Sequence, residues 1–272
     1  MQTMLQPTAD FYAEKRQSRG VMSVAHYHHT FELYYIEYGE RDYFIEDKFY
    51  KVKERDVVLV PVGALHRTGG KNSQRVLVNF TGRFLRRYFT EEMIESLNLN
   101  VPTVFHSDAA SPSLRYFFEE LYKIYQSESE TDESRIAGLL FNILFIMSRE
   151  RNSYEKQEYE DERMENIVRY VNENYASIDG LEELASHFYI SKYHFCRLFK
   201  KNLGVSVTSY VNKIKIREAS RLLESRDLSL TEIATASGFN SLSYFCKVFK
   251  SEMGISPSAY KSGAKARTGS EN

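Results

Sequence analysis

Ser191-Lys-Tyr-His-Phe-Cys-Arg-Leu-Phe-Lys200 and Ser241-Leu-Ser-Tyr-Phe-Cys-Lys-Val-Phe-Lys250 are one pattern written twice, at an offset of 50. The match continues outward on both sides. Gly204-x-Ser206-x3-Tyr210 repeats as Gly254-x-Ser256-x3-Tyr260, and Leu181-Glu-Glu-Leu-Ala-Ser repeats as Leu230-Thr-Glu-Ile-Ala-Thr at an offset of 49. The one-residue difference falls in the turn, where Gly238 supplies conformational freedom. Self-similarity this dense means one structural unit used twice, and two copies are too few for a solenoid.

Each unit reads as helix, short turn, helix. Leu184 and Ala185 fall on the inner side of the first leading helix, and Phe195, Leu198 and Phe199 form the buried stripe of the trailing one. Helical geometry then turns Tyr193, Cys196, Arg197 and Lys200 outward. In the second unit Phe245, Val248 and Phe249 point inward while Ser243, Cys246, Lys247 and Lys250 point outward. From Ser191 to Lys201 there are four basic residues and no acid, and from Ser241 to Lys250 two and none. A solvated charged face explains one such helix. Two equivalent acid-free faces favour a pair of helices that enter the DNA major groove, cations on phosphates and polar side chains on base edges. Residues 207–224 between the units read as a helix with Ile214, Ala219, Leu222 and Leu223 inward. Eighteen residues span about 27 Å, a strut suited to the ~34 Å repeat of B-DNA.

These residues resemble the AraC/XylS transcription regulators, over about 100 C-terminal positions. Leu181-Glu-Glu-Leu-Ala, Ser191 to Lys200, Gly204-Val-Ser and the second signature from Ile233 through Gly238-Phe-Asn-Ser to Tyr260 carry the likeness. The resemblance implies that the trailing helix of each unit meets DNA. That places Lys192, Tyr193, Cys196 and Arg197, then Leu242, Ser243, Tyr244 and Lys247, at the duplex, with Lys192, Leu242 and Tyr244 at the helix N-termini. Cys196 and Cys246 read as small groove-side or half-buried residues.

Moving toward the N-terminus, residues 152–162 (NSYEKQEYEDE) are polar, acidic and free of aliphatic side chains, the composition of a solvated linker. Before it, Leu114, Phe117, Phe118, Leu121 and Tyr125 recur at helical spacing after a Ser111-Pro112 start. A second helix over 134–149 puts Ile136, Leu139, Leu140, Ile143, Leu144 and Met147 on one face and Phe141 and Phe145 on another. A helix apolar around most of its circumference needs cover on two sides, and the second side points to a homodimer.

Residues 21–105 read as β: the runs Glu32–Glu37, Tyr43–Glu46, Val57–Val60 and Arg75–Phe80 are parted by turn-type Gly39-Glu40, Glu46-Asp47-Lys48 and Gly69-Gly70. Within them stands Gly20-x5-His26-x-His28-x3-Glu32-x6-Gly39, then Pro61-x-Gly63-x2-His66. On a strand His26, His28 and Glu32 share a face, and His66 can join them. The spacing resembles the two cupin motifs, with Arg55 where the family usually has Gly and Gly70 where it has Asn. Three readings stay open: a polar lining that hydrogen-bonds an organic effector, a satisfied polar core, and a divalent transition-metal site. The first is preferred, with no metal and no cofactor expected. Tyr34, in register with Glu32, and Tyr43 or Phe44 would supply amphipathic walls for a sugar-like or aromatic ligand.

The expected fold is therefore α+β: a cupin-like β-barrel (1–107) with appended dimerisation helices (108–150), a linker (151–162), an all-α domain of two helix-turn-helix units (163–262) and a flexible tail (263–272). The 272 residues are 42% hydrophobic and 27% charged, ample for two cores. The net charge of −1 hides an asymmetry, since residues 1–162 sum to −6 and 163–272 to +5. Two cysteines make no disulfide framework, Met1–Arg16 lacks a signal-peptide apolar core, and no apolar run approaches the ~20 residues that span a bilayer. A cytoplasmic protein is expected, with no membrane partner. The partners implied are double-stranded promoter DNA, a small effector, a second copy of the chain and, if the protein is an activator, RNA polymerase. No Gly-rich phosphate loop or Ser/His/Asp or Cys/His nucleophile supports an enzyme. The rival readings are a metal-dependent cupin enzyme and a DNA-binding dimer that senses nothing.

Overall fold

The computed structural model describes residues 10–18, 24–70, 72–106, 112–127, 132–149, 162–178, 180–225 and 227–269. The chain divides between residues 160 and 161 into two compact units. The expected linker except Glu162, which opens a helix, lies outside the described residues, as do Gly20, Ser111 and the last residues of the expected tail.

The N-terminal unit is built on β1 (Phe11–Ser18), β2 (Phe31–Ile45), β3 (Lys48–Lys53), β4 (Val57–Val60), β5 (His66–Gly69), β6 (Ser73–Phe80) and β7 (Thr103–Phe105), all pairings antiparallel. The path β1-β6-β2-β4-β7 has two ends and does not close, so the expected barrel is an open, cupin-like sheet folded on itself. The fold line is β2. Its first half pairs with β6 and β4, its second half with β3 and β5. Glu32–Glu37 and Tyr43–Glu46 are thus one strand, and Gly39-Glu40 is a bend inside it. Register shifts between Ile36 and Tyr38, and Gly39 takes φ +86°, where an added Cβ would lie 2.3 Å from the Asn72 carbonyl oxygen. Only glycine lets the strand change sheets there without breaking. The tight turn expected at Glu46-Asp47 does form, with Glu46 at φ +59° closing the β2–β3 hairpin.

Residues 21–105 are not all β. Gly82–Tyr88 (α1) and Glu91–Ser96 (α2) are helices, capped by Thr81 and Thr90, whose hydroxyls accept from Phe84 and Met93 backbone N–H groups at 3.0 and 3.3 Å. Pro112–Gln126 (α3) and Glu133–Arg149 (α4) follow as expected. One sheet face packs on these helices: Leu33, Tyr35, Leu59, Val76 and Val78 share a core with Leu114, Phe118, Leu121, Leu140 and Leu144. The other face looks into the fold of the sheet, where Tyr34, Tyr43, Tyr50, Val58, Val60 and Leu77 meet. On α4, Leu139 is half-exposed rather than inner, and Phe145 is exposed and stacked on Phe141 at 5.9 Å.

The C-terminal unit is all helix: α5 (Glu162–Asn174), α6 (Leu181–His187), α7 (Lys192–Leu203), α8 (Val207–Ser225), α9 (Leu230–Ala236), α10 (Leu242–Met253) and α11 (Pro257–Gly269). The last of these runs through residues 263–269, read from sequence as tail. The repeat shows in its ends. Ser191 and Ser241 cap α7 and α10 by accepting from His194 and Tyr244 N–H, and Gly204 and Gly254 close both helices in the left-handed region. Gly238 has φ +84° and its counterpart Tyr189 has φ +54°. Both turns therefore need a positive φ at the same place, and the extra residue of the second turn follows the glycine.

Candidate functional site

Helix α7 buries Phe195, Phe199 and Leu203, and α10 buries Phe245, Phe249 and Met253. Leu198 and Val248, expected in the stripe, are half-buried. With the 3.6-residue period fixed by those phenylalanines, Lys192, Tyr193, Arg197 and Lys200 are exposed on α7, as are Leu242, Ser243, Tyr244, Lys247 and Lys250 on α10. Cys196 and Cys246 are half-buried and free. Tyr193 is 77% exposed, an unusual state for an aromatic side chain. Lys192 pairs with Glu182 of α6, and Tyr244 accepts from Asn212 Nδ2 at 3.0 Å, so each helix N-terminus is tied to a neighbouring element.

Helix α8 is braced at both ends. Tyr210 Oη donates to Asn172 Oδ1 of α5 at 3.0 Å, Lys213 pairs with Glu252 of α10 at 2.7 Å, and Tyr260 Oη of α11 donates to Glu224 Oε1 at 2.5 Å. Ile214, Ala219, Leu222 and Leu223 are all buried. A strut held in this way fixes the spacing of α7 and α10 within their unit.

The second cluster lies inside the folded sheet. His26 and His66 bridge their backbones, each N–H donating to the other's carbonyl at 3.0 and 2.8 Å, and β2 and β5 pair Ile45 with His66. Glu32 stands on the inward face of β2. His28 Nδ1 donates to the Thr30 carbonyl and His66 Nδ1 to the Ala64 carbonyl, both at 2.9 Å, which turns each Nε2 toward Glu32. The His28 Nε2 to Glu32 Oε2 distance is 3.1 Å, and His66 Nε2 to Glu32 Oε1 is 3.4 Å without hydrogen-bond geometry. Ligand atoms of His26, His28 and His66 lie within 4.8 Å of one another. The sequence reading had placed these four residues on one site, and the structure brings all four together.

Electrostatics give the four side chains different states. Burial alone would raise the Glu32 carboxyl, but the facing His28 and His66 hold it well below the usual carboxylate range. Burial works against the charged form of His28 and Glu32 overcomes it, so its pKa is raised. His26 is pushed down to about 3, by burial first and by the charge of His66 second, and is neutral. Three convergent imidazoles, one held neutral, beside a buried carboxylate are a donor set that fits a divalent transition ion.

Tyr34 and Tyr43 face each other above this layer, ring centroids 5.4 Å apart, and burial pushes both hydroxyls up, Tyr34 also through Glu32. Phe44 does not join them: it alternates to the other face and packs on Phe49 at 4.9 Å. Four inward residues escaped the sequence reading: Arg41 and Arg75, 2% and 3% exposed, with Thr68 and Ser73. The signal was there as parity, because Arg75 keeps the register of Leu77 and Asn79, and Arg41 that of Tyr43 and Ile45.

Among the described residues no helix is long and apolar enough to cross a membrane. The helix-turn-helix domain family matches residues 184–263, and the AraC-like ligand binding domain family matches residues 10–144. The regulatory protein PocR of Salmonella typhimurium is 39% identical over 84 residues, 31% of this chain and only 28% of its own length. The HTH-type transcriptional regulator YfiF of Bacillus subtilis is 25% identical over 249 residues, 80% of this chain and 72% of that protein. The solved structure of fatty-acid-bound ToxT from Vibrio cholerae is 18% identical, with a TM-score of 0.39 over 92% of this chain and 94% of that one.

Proposed function

The chain belongs to the AraC family of DNA-binding transcription regulators, and on that premise we propose that it is a one-component switch whose N-terminal unit binds a small effector and thereby alters promoter binding. The observation that carries this reading is the duplicated exposed face: Tyr193, Arg197 and Lys200 on α7, and Ser243, Lys247 and Lys250 on α10, at equivalent helical positions, with no acid from Ser191 to Lys201 or from Ser241 to Lys250. Lys200 and Lys250 supply phosphate contacts, and Arg197 and Lys247 reach base edges. The strut α8 sets α7 and α10 into successive major grooves. His26, His28, Glu32, Tyr34 and His66 form the polar lining for the effector. The exposed Phe145 and half-buried Phe141 of α4 support contact with a second copy of the chain.

Fluorescence anisotropy of the full chain on the DNA upstream of its own gene tests the proposal. Tighter binding to that DNA than to a scrambled duplex, weakening steeply with salt, is expected. Equal affinity for both duplexes at every salt concentration overturns it.

A second reading of the histidine cluster rests on one observation: Glu32 Oε1 and His66 Nε2 are buried without hydrogen-bond partners and face the neutral His26. His26, His28 and His66 would then hold a divalent ion that Glu32 completes. Elemental analysis of the purified chain decides, because a metal content near one per chain that falls in His28→Ala requires this reading.

A further inference from the structure

The two helix-turn-helix units differ at a point where their backbones agree. Both turns close alike: the Tyr189 and Gly238 N–H groups donate to the Ser186 and Thr235 carbonyls at 3.0 and 2.9 Å, and those of Ile190 and Phe239 to Ala185 and Ala234 at 3.2 and 2.8 Å. In the second unit the residue of positive φ is glycine and is tightly packed, since an added Cβ would lie 2.9 Å from Ala176 Cα and 3.3 Å from Lys215 Cε. In the first unit it is Tyr189, at φ +54° and 95% exposed. The turn that glycine serves in one copy carries a large aromatic side chain in the other.

A β-carbon crowds the backbone in the left-handed region, and at a bulky residue the strain is real. Packing does not offset it, because the Tyr189 side chain stands in solvent. Nor is the turn loose: Phe188 pins it from inside, its ring 5.5 Å from Tyr170 and 6.2 Å from Phe195. Strain on a well-held turn, of no use to the fold, points to a task outside the fold. The neighbours say which. Tyr189 lies two residues before Ser191, the cap of α7, so its Cα is within about 8 Å of the helix end read as entering the groove. Arg163 of α5 donates Nη2 to the Phe188 carbonyl at 3.2 Å and brings an exposed guanidinium to the same turn. A phenol and a cation at a groove edge are donors for phosphate oxygens, which only accept.

We propose that Tyr189 is a DNA-backbone contact, its hydroxyl donating to a phosphate oxygen at the rim of the major groove that α7 enters, with Arg163 facing the phosphates beside it. This rests on the reading of α7 as a groove helix. The contact fixes the register of the first unit on the duplex without reading a base. The turn of the second unit, with glycine at the same position against Ala176, has no side chain there to make it. The two half-sites are therefore gripped unequally, the first with an extra hold from its turn.

Fluorescence anisotropy of the full chain on the DNA upstream of its own gene and on a scrambled duplex, across a salt series and together with Tm, tests this. Tyr189→Phe is expected to weaken binding to both duplexes alike, by about 2- to 10-fold, the loss of one net hydrogen bond. The slope of log K against log salt stays native, because a neutral phenol displaces no counterion, whereas Arg163→Gln flattens it by about 0.9. Tyr189→Gly is expected to bind as weakly as Tyr189→Phe while Tm holds or rises, since glycine relieves the strain. A side chain serving only the fold would do the reverse. Native affinity in Tyr189→Phe overturns the proposal, as does a loss confined to the upstream DNA or a fall in the Tm of Tyr189→Gly. A native chain that binds both duplexes equally overturns the reading of α7 itself, and that result is seen before any variant is made.

Discussion

Arg197 and Lys200 lie one turn apart on the exposed side of α7, yet their chemistry predicts different consequences of loss. Arg197 presents a planar fork that can take guanine O6 and N7 together, whereas Lys200 is a point charge suited to phosphate. Arg197→Ala is expected to weaken binding to the preferred duplex by about 1–3 kcal/mol and to relax discrimination at one base pair. A uniform loss on every duplex would make it a phosphate contact instead. Competition binding against single-base variants of the operator separates the two. In the other unit, the Glu32–His28 pair ties stability to pH. The Glu32 pKa is lowered in the folded chain, so its contribution is present above the ordinary value of 4.5 and is lost as pH falls through the folded pKa. The His28 pKa is raised, so its contribution is complete below the ordinary 6.5 and is lost as pH climbs through the folded pKa. The Tm difference between the native chain and Glu32→Gln is therefore expected to be widest from about pH 4.5 to 6.5 and to narrow on both sides. A difference that is flat across that range and beyond contradicts the pairing.

At the scale of elements, two glycines make opposite predictions. Gly39 sits at φ +86° where β2 passes from one sheet half to the other, and a Cβ would collide with the Asn72 carbonyl oxygen at 2.3 Å. Gly39→Ala is expected to cost about 2 kcal/mol or more, through strain and a broken bend. Gly138 lies on the exposed side of α4 with nothing within 4 Å of an added Cβ. Gly138→Ala is expected to add about 0.5–1 kcal/mol, the helix-propensity difference alone. Denaturant midpoints of the two variants check both signs. The same bend marks where sequence reading stopped. Gly39-Glu40 looks like a turn because glycine, charge and an ended apolar run are what a turn requires, and only the pairing of β2 with four strands shows a single bent strand. The helices α1 and α2 stayed hidden because seven and six residues hold too little periodicity, although Thr81 and Thr90 were caps in plain view. The repeat was legible to the level of single caps because Ser191, Gly204, Ser241 and Gly254 are local signals that need no tertiary context. Arg41 and Arg75 were not: a lone arginine in a strand gives its face only once the register of every partner strand is fixed.

For the whole molecule, the charge is divided unevenly, −6 up to residue 162 and +5 beyond it, which favours attraction of a polyanion to the C-terminal part. Replacing Lys200 and Lys250 together by alanine is expected to flatten the plot of log K against log salt by about 0.9 for each phosphate contact removed, leaving sequence preference intact. The two units must also communicate if an effector is to matter, and thermodynamics sets the form of that communication. An effector that changes operator affinity by some factor must have its own affinity changed by the operator by the same factor. A molecule that binds equally well in both states shifts nothing, however tightly it is held. Titrating an effector identified by its rise in Tm into the full chain, alone and saturated with operator DNA, measures that factor directly. The ratio of the two dissociation constants is expected to equal the ratio of operator affinities with and without effector, about 5- to 150-fold for couplings of ordinary size. A ratio of one in both directions would leave a regulator whose N-terminal unit holds a ligand without passing its presence on to the DNA.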